Sequence, residues 1–342
     1  MAASPTPRPK RARSADAAAA AAWPGAQALA DWALRHWGPS ARPEGPIAVA
    51  CSGGADSTAL LLAAHASWPD RVLALHVHHG LQAAADGFEA QVRGLCDRHG
   101  IALRVSRVDA RAAAGQSPED AARIARYAAL AGLARDAGAA WVLLAQHLDD
   151  QAETVLLALS RGAGLPGLAA MPEVFEREGV RFGRPWLGLR SQALRDFLHG
   201  VGETFIEDPS NTDLRFTRNR IRRLLAPAWA EAFEGYREAL SRTAAHAAQA
   251  QRLLDELASM DLAHTGAPPS IAALQTLSRD RQANALRRWL RSAHGVAPSA
   301  AQLHELLDQI DACRTRGHAI RLRVADGFLV RDGDRLAFTP SV

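Results

Sequence analysis

Short apolar runs alternate with longer amphipathic stretches along the first half of the chain. Each run has the length of a buried strand, and sequence with helical periodicity follows it. This alternation is typical of a parallel sheet covered by helices, so we predict an α/β fold with helices on both faces of the sheet. The four runs span residues 47–50, 72–77, 103–108 and 141–145.

The second half of the chain has a different pattern. Helical periodicity dominates from Leu224 to about Ile310, and three short strand-like runs separated by turns follow it. The first residues are basic and rich in alanine, which predicts a disordered arm, with an organellar transit peptide as the alternative. The predicted parts are a disordered basic arm at 1–20, an α/β catalytic domain at 21–223, and a mainly helical domain at 224–342 that ends in a β-hairpin.

Composition excludes several classes of protein. The 342 residues include one lysine, Lys10, so neither a lysine-containing P-loop nor a pyridoxal site can be built beyond it. The three cysteines form no C-x-x-C pair, which argues against zinc and iron–sulfur sites and favours a reducing compartment. No apolar run approaches the roughly 20 residues of a membrane span. We therefore expect a cytoplasmic protein, and its net charge of +4 permits a polyanionic partner.

A glycine-rich turn links the first predicted strand to a helix. Adjacent glycines let backbone N–H groups turn towards an anion at a helix N-terminus, and flanking hydroxyls add donors, so the turn predicts a phosphate site. Asp56 would repel a phosphate unless a cation lay between them, which makes it a candidate magnesium ligand. A capped strand-to-helix turn is the alternative. The candidate nucleotide-binding residues are Ser52, Gly53, Gly54, Ala55, Asp56 and Ser57.

Acidic residues also follow the fourth strand. Asp150 and Glu153 are three residues apart at the start of a helix, so both carboxylates project from one face near the carboxyl edge of the sheet. Ligands bind at this edge in open α/β folds. The alternative is compensation of the helix dipole, which suits Asp149 well. His147 precedes them and is a candidate for contacting phosphate or nucleotide.

Two groups of arginines suggest contacts with phosphate. Arg123 and Arg126 lie three residues apart on the predicted third helix and can face one phosphate together. Five more arginines occur within nine residues of one another, and arginine suits phosphate because of its planar fork of donors. A solvated helical face is the alternative for both groups. The second group consists of Arg215, Arg218, Arg220, Arg222 and Arg223.

The glycine-rich turn resembles the S-G-G-x-D-S loop of the ATP pyrophosphatases, which split ATP into AMP and pyrophosphate. An ordered set of further motifs resembles the tRNA(Ile)-lysidine synthetase family over about residues 47–223, although this family more often has asparagine at His78 and histidine at Gln146. The motifs are His76–Leu81, Ala122–Tyr127, His147–Thr154, Arg161–Gly164, Gly167–Leu168, Glu207–Asp213 and Arg218–Arg222.

The resemblance implies a PP-loop ATPase fold of the adenine nucleotide alpha hydrolase type, with ATP and magnesium as cofactors. It implies that Asp56 and Asp150 bind magnesium, that Asp150 and Glu153 act on the attacking amine, with Asp150 the better general base, and that Arg126 is catalytic. Arg123 and His147 would contact ATP. The resemblance also implies that His79 and Gly80 shape the adenosine pocket. A zinc site is disfavoured on separate grounds, because strand alternation places His76 and His78 on one face and His79 on the other. Arg218, Asn219 and Arg222 would contact tRNA, although Asn219 better suits ordering the turn or the pocket.

The activity that the resemblance implies is adenylation of carbon 2 of the wobble cytidine in the CAU anticodon of an isoleucine tRNA, followed by attack of the ε-amine of free lysine. The alternatives are tRNA thiolation, amidation of a small molecule, and ATP binding without catalysis. The residues leave the oligomeric state open, a homodimer included.

Overall fold

A computed structural model describes residues 23–78, 85–108, 118–315 and 318–340. The predicted basic arm at 1–20 lies outside the described residues, and so do His79 and Gly80. By contacts, the chain divides into two units after Ala244. The functional boundary that we place after residue 223 stays a prediction.

The first unit is built on a six-stranded sheet. Its strand order is β3-β2-β1-β4-β6-β5. The first five strands in this order pair in parallel, and β5 pairs antiparallel with β6. The carboxyl ends of β1, β2, β3 and β4 therefore meet at one edge. The strands are β1 Ile47–Ala50, β2 Val72–His78, β3 Ala102–Arg107, β4 Trp141–Leu143, β5 Val174–Arg177 and β6 Val180–Gly183.

Helices cover both faces of this sheet, as predicted. One core contains Trp32, Leu60 and Leu194 from three different helices. The opposite core contains Tyr127 and other residues of a single long helix. The helices are α1 Pro24–Trp37, α2 Ala55–Ser67, α3 Ala85–His99, α4 Pro118–Asp136, α5 Leu148–Ser160, α6 Leu165–Leu168 and α7 Ser191–Gly200.

The sequence pattern does not predict the hairpin of β5 and β6. Each strand is four residues long and carries charged residues, so its apolar signal is weak. Glu178 and Gly179 both have positive φ, 53° and 71°, as a two-residue hairpin turn requires. The hairpin thereby places β5 beside β6, as the strand at the edge of the sheet.

A short irregular helical segment follows the sheet. It contains a 3₁₀ turn at Pro209–Thr212 and α8 at Thr217–Arg220, which continues through a π-helical turn at Ile221–Leu225 into α9 at Ala226–Ala232. Ile221 packs with Leu156 of α5 in a small core. The segment is thereby attached to the helix that begins at the acidic residues.

The second unit is helical and ends in strands, as predicted. Trp289, Leu306 and Leu329 lie in its buried core. Three antiparallel strands form two consecutive hairpins, as the three predicted strand-like runs and their two turns require. No helix of the described ranges is long and apolar enough to span a membrane. The remaining elements are α10 Tyr236–Thr265, within which the division after Ala244 falls, α11 Ile271–Leu274, α12 Arg279–His294, α13 Ala300–Ala312, β7 Arg321–Val324, β8 Gly327–Asp332 and β9 Arg335–Pro340.

Candidate active site

The glycine-rich turn is held in shape by its own hydroxyls. Ser57 Oγ accepts the backbone N–H of Ser52 at 3.1 Å and donates to the carbonyl of Gly54 at 3.1 Å. The Oγ atoms of Ser52 and Ser57 are 3.0 Å apart. The N–H of Thr58 is the first to bond back within α2, to Gly54 at 3.0 Å. The earlier N–H groups therefore have no partner within the helix and are oriented to bind an anion.

Gly53 is needed for this turn on two grounds. Its φ is +92°, a conformation that residues with a Cβ rarely adopt. A Cβ there would lie 3.3 Å from Phe88. The carbonyl of Gly53 also accepts the N–H of Ile206 at 3.0 Å. The turn is thus held against two other segments of the first unit.

His147 lies between two of the predicted magnesium ligands. It is buried, and its Nε2 is 3.5 Å from Asp56 Oδ2 and 3.4 Å from Asp150 Oδ2. Its backbone N–H donates to Asp150 Oδ2 at 3.2 Å, which closes the first turn of α5. His147 and Asp150, which follow strand β4 at the start of helix α5, therefore lie next to Asp56 of the glycine-rich turn.

The charges of this group shift one another's pKa values. Burial lowers the pKa of His147, but the carboxylates of Asp150, Asp56 and Asp149 outweigh it and raise the pKa to about 9. Burial raises the pKa of Asp56, but His147, Ser191 and Arg195 outweigh it and hold the pKa below its usual value. At neutral pH an imidazolium therefore lies between carboxylates.

Glu153 forms a second charged pair, with Arg222. Nε of Arg222 donates to Oε1 at 2.7 Å and Nη2 donates to Oε2 at 3.0 Å, while Nη2 also lies 3.5 Å from Asp150 Oδ1. Burial nevertheless keeps the pKa of Glu153 above its usual value. Arg218, one turn before Arg222, donates to Thr154 Oγ1 at 3.4 Å. The arginine segment thus reaches the acidic helix directly.

Three further residues complete the site: Asp149, Ser191 and Arg237. The sequence pattern does not predict any of them as a ligand or a catalyst. Asp149 Oδ2 accepts the backbone N–H of Ser191 at 2.9 Å, and its Oδ1 accepts Nε of Arg237 at 2.5 Å. Ser191 Oγ donates to Asp56 Oδ1 at 3.2 Å. Asp149 has a sequence signal, because it stands beside Asp150. Ser191 and Arg237 have none, since their partners lie far away in the chain.

The structure brings Asp56, His147, Asp150, Glu153 and Arg222 together, as the predicted site requires. The other predicted residues have different surroundings. Arg123 is exposed and donates to Asp120 of its own helix at 2.9 Å, and Arg126 lies three residues further along. Asn219 is buried and donates to the carbonyls of Ser210 at 2.7 Å and Asp213 at 2.9 Å, so it orders the turn before α8. Contacts of these three residues with ATP or tRNA stay predictions.

The donor set fits a magnesium ion bound together with a nucleotide. In the described ranges, no group of three or more histidine, cysteine or acidic side chains has the arrangement of a metal site. Asp56 and Asp150 nevertheless direct carboxylate oxygens to one point, the Nε2 atom of His147. Magnesium in nucleotide sites is commonly held by one or two carboxylates together with phosphates and water. Two carboxylates beside the glycine-rich turn fit that requirement.

Comparisons with known proteins agree with this geometry. Residues 30–229 match the PP-loop domain family, and residues 270–337 match the TilS substrate binding domain. The tRNA(Ile)-lysidine synthase of Polaromonas naphthalenivorans (strain CJ2) is 56% identical over 294 residues, which cover 86% of this chain and 89% of that protein. The tRNA(Ile)-lysidine synthase of Ralstonia nicotianae is 47% identical over 280 residues, 79% of this chain and 60% of that longer protein.

A solved structure supports the fold. The U34-tRNA thiolase NcsA from Methanococcus maripaludis, with its [4Fe-4S] cluster, has a TM-score of 0.54 to this chain and 14% sequence identity, and the match covers 65% of this chain and 78% of that one. At this identity the likeness concerns the fold alone. The two family matches and the identity to curated relatives decide the assignment: the chain belongs to the tRNA(Ile)-lysidine synthase family.

Proposed function

We propose that this protein uses ATP to join free L-lysine to carbon 2 of the wobble cytidine in the CAU anticodon of an isoleucine tRNA, with release of AMP and pyrophosphate. We expect it to act in the cytoplasm. The observation that carries the proposal is the placement of the Asp56 and Asp150 carboxylates within 3.5 Å of His147 Nε2, beside the glycine-rich turn. Membership of the tRNA(Ile)-lysidine synthase family supports the choice of substrate.

The turn from Ser52 to Ser57 would bind the phosphates of ATP through its backbone N–H groups and hydroxyls. Asp56 and Asp150 would hold magnesium, which supplies neutralisation of phosphate charge and polarisation of the phosphoryl oxygens. His147 carries a positive charge at neutral pH and adds a further cationic partner for phosphate oxygens. The site thereby favours attack at the α-phosphate.

The first step forms a bond between the carbonyl oxygen on carbon 2 of cytidine and the α-phosphorus, and breaks the bond to pyrophosphate. The second step forms a bond between the lysine ε-nitrogen and carbon 2, and AMP leaves. The amine must lose a proton, and Asp150 is our candidate for accepting it. Glu153 is the second candidate base, because burial raises its pKa and makes its carboxylate a stronger proton acceptor than an ordinary glutamate. The cytidine must be unstacked to react, which suits an anticodon loop.

The arginine segment would bind tRNA in two ways. Arg222 points at Glu153 and Arg218 points at Thr154, so these two would act close to the reacting base. Arg220 and Arg223 are exposed, and among the described residues they donate to neutral oxygens, Thr217 Oγ1 and the Thr212 carbonyl. We assign these two arginines to backbone phosphates of the tRNA. Their present partners are neutral oxygens, so the arginines can leave them readily for a charged phosphate.

No observation favours the other acceptors. Thiolation that depends on a cluster needs paired cysteines, whereas Cys51, Cys96 and Cys313 are each buried and free. Small-molecule amidation gives Arg220 and Arg223 no function. ATP sensing without catalysis has no need of two carboxylates facing one point.

The test is incorporation of radiolabelled lysine into an unmodified isoleucine tRNA transcript with a CAU anticodon, in the presence of ATP and magnesium. The elongator methionine tRNA, which shares that anticodon, serves as the substrate control. We expect label in the isoleucine transcript alone. If ATP is cleaved to AMP and neither transcript is labelled, the acceptor is a different molecule and the proposal is wrong.

A further inference from the structure

The two carboxylate oxygens of Asp56 have different partners. Oδ1 accepts the hydroxyl of Ser191 at 3.2 Å, whereas Oδ2 faces His147 Nε2 at 3.5 Å. The terminal torsion of an aspartate is broad and roughly two-fold, so the residue itself does not select one orientation. A hydrogen bond to an ionised carboxylate is stronger than one between neutral groups. The bond from Ser191 therefore selects Oδ2 as the oxygen of Asp56 that faces His147, the residue that Asp150 also contacts.

Ser191 is itself held by a charged side chain. It is the first residue of α7, and its backbone N–H donates to Asp149 Oδ2 at 2.9 Å. The neighbouring backbone is paired as well, because the N–H of Leu148 donates to the carbonyl of Leu189 at 2.8 Å. The N-terminal turns of α5 and α7 are thus connected at two points, and the Ser191 hydroxyl has a defined place.

Arg237 anchors Asp149 from the other side. It donates Nε to Asp149 Oδ1 at 2.5 Å. It lies in the first turn of α10, between Tyr236 and Leu240, which are both buried in a core shared with α5. Both carboxylate oxygens of Asp149 are thereby bonded, Oδ1 to Arg237 and Oδ2 to Ser191.

We propose that Asp149 and Ser191 are positioning residues for the metal–nucleotide complex, with Arg237 as their support. Arg237 holds Asp149, Asp149 holds the backbone of Ser191, and Ser191 orients the carboxylate of Asp56. As a result Asp56 Oδ2 and Asp150 Oδ2 both face Nε2 of His147. The inference rests on the proposed magnesium and ATP site, and it gives Asp149 a role that its neighbour Asp150 does not share.

The experiment measures metal binding directly. Mn²⁺ is titrated into the full chain with a non-hydrolysable ATP analogue, and free Mn²⁺ is followed by electron paramagnetic resonance. We expect Ser191→Ala to weaken Mn²⁺ binding about ten-fold, the equivalent of one hydrogen bond to a charged group. Ser191→Thr keeps the hydroxyl and should bind within about two-fold of the unmodified chain. Ser160→Ala removes a hydroxyl at the far end of α5, one that donates to the Leu157 carbonyl, and should change nothing.

Two further variants test the outer part of the network. Asp149→Asn and Arg237→Gln should each weaken Mn²⁺ binding by less than Ser191→Ala does, since Asp149 acts on Asp56 indirectly, through Ser191 and through His147 at 3.6 Å, and Arg237 acts through Asp149. Affinity for tRNA, measured by filter binding without nucleotide, should be unchanged in Ser191→Ala. A loss of folding would lower the melting temperature and tRNA affinity together, which separates it from a loss of positioning.

The outcomes distinguish this inference from the proposed function. If the unmodified chain makes lysidine but Ser191→Ala binds Mn²⁺ as tightly as Ser160→Ala, the positioning role is wrong and the function stands. If Ser191→Thr is as weak as Ser191→Ala, the hydroxyl is not the cause and the inference is also wrong. If no transcript accepts lysine while the Mn²⁺ series behaves as expected, the positioning role stands and the substrate assignment falls.

Discussion

The glycine-rich turn and the arginine segment obtain their shapes in different ways. In the turn, Ser52, Gly54 and Ser57 bond to one another within six residues of chain. In the arginine segment, Arg222 bonds to Glu153 and Arg218 bonds to Thr154, 69 and 64 residues earlier. The turn is therefore readable from a short piece of sequence. The direction of each arginine is not, because it depends on what α5 presents opposite.

The π-helical turn increases this difference. In a regular α-helix Leu225 would lie on the same face as Ile221, four residues before it. Here Ile221 is 4% exposed and Leu225 is 47% exposed, because the wider turn changes the phase of the helix. Neighbouring arginines are separated as well: Arg222 pairs with Glu153, whereas Arg223 donates to a backbone carbonyl at the surface.

The largest expected effect is at the turn. Asp56→Asn removes one of two proposed magnesium ligands, so we expect the rate of lysine incorporation to fall about 1,000-fold. Asp196→Asn changes an exposed aspartate of α7 in the same way and should leave the rate unchanged. A rate for Asp56→Asn within ten-fold of the unmodified chain would contradict the assignment of Asp56 to the metal.

The arginine segment predicts a contrast in stability. Arg222→Ala leaves the buried carboxylate of Glu153 without its main partner. The Arg222 side chain is 42% exposed, so we expect a loss of about 2 kcal/mol in the free energy of unfolding, less than for a fully buried pair. Arg220→Ala should cost less than about 0.5 kcal/mol. Urea denaturation measures both, and equal losses would mean that the inward and outward arginines do not differ.

Stability should also depend on pH through His147. Its folded pKa of about 9 lies above the usual value of 6.5, so its contribution is complete below pH 6.5 and is lost as the pH rises through 9. Between pH 6.5 and 8 the free energy of unfolding should fall by about 1.5 kcal/mol more in the unmodified chain than in His147→Gln. The buried thiol of Cys51 does not contribute to this change, because burial raises its pKa to about 11, above the interval from pH 6.5 to 8. Parallel curves from urea denaturation would show that His147 is not held in its charged form.

The smallest effects belong to the surface. Arg220→Ala and Arg223→Ala should each raise KM for tRNA several-fold without changing kcat, because phosphate contacts contribute to binding and not to chemistry. Each should also reduce the slope of log affinity against log salt by about 0.7 to 0.9. Arg215→Ala is the comparison, since Arg215 is already paired with Asp213. A slope that stays constant in both variants would remove these arginines from the interface.

Much of the fold could be predicted because its signals are local. The predicted first strand has the observed bounds, Ile47–Ala50, and the other three differ at their ends. The α/β class with helices on both faces and the family are confirmed. The hairpin of β5 and β6 escaped prediction because its strands are too short and too charged to show a period. The roles of the individual site residues stay predictions.

The sequence by itself determined the glycine-rich turn, the helix that follows it, and the presence of carboxylates at the carboxyl edge of the sheet. These features depend on bonds between near neighbours and on the alternation of apolar residues. Only the tertiary structure decided that Asp149 bonds to Ser191 and Arg237, that His147 meets Asp56, and that Arg222 pairs with Glu153. The physical reason is that successive residues of a helix point in directions about 100° apart. What each of them meets is therefore set by packing of segments that are distant in the chain.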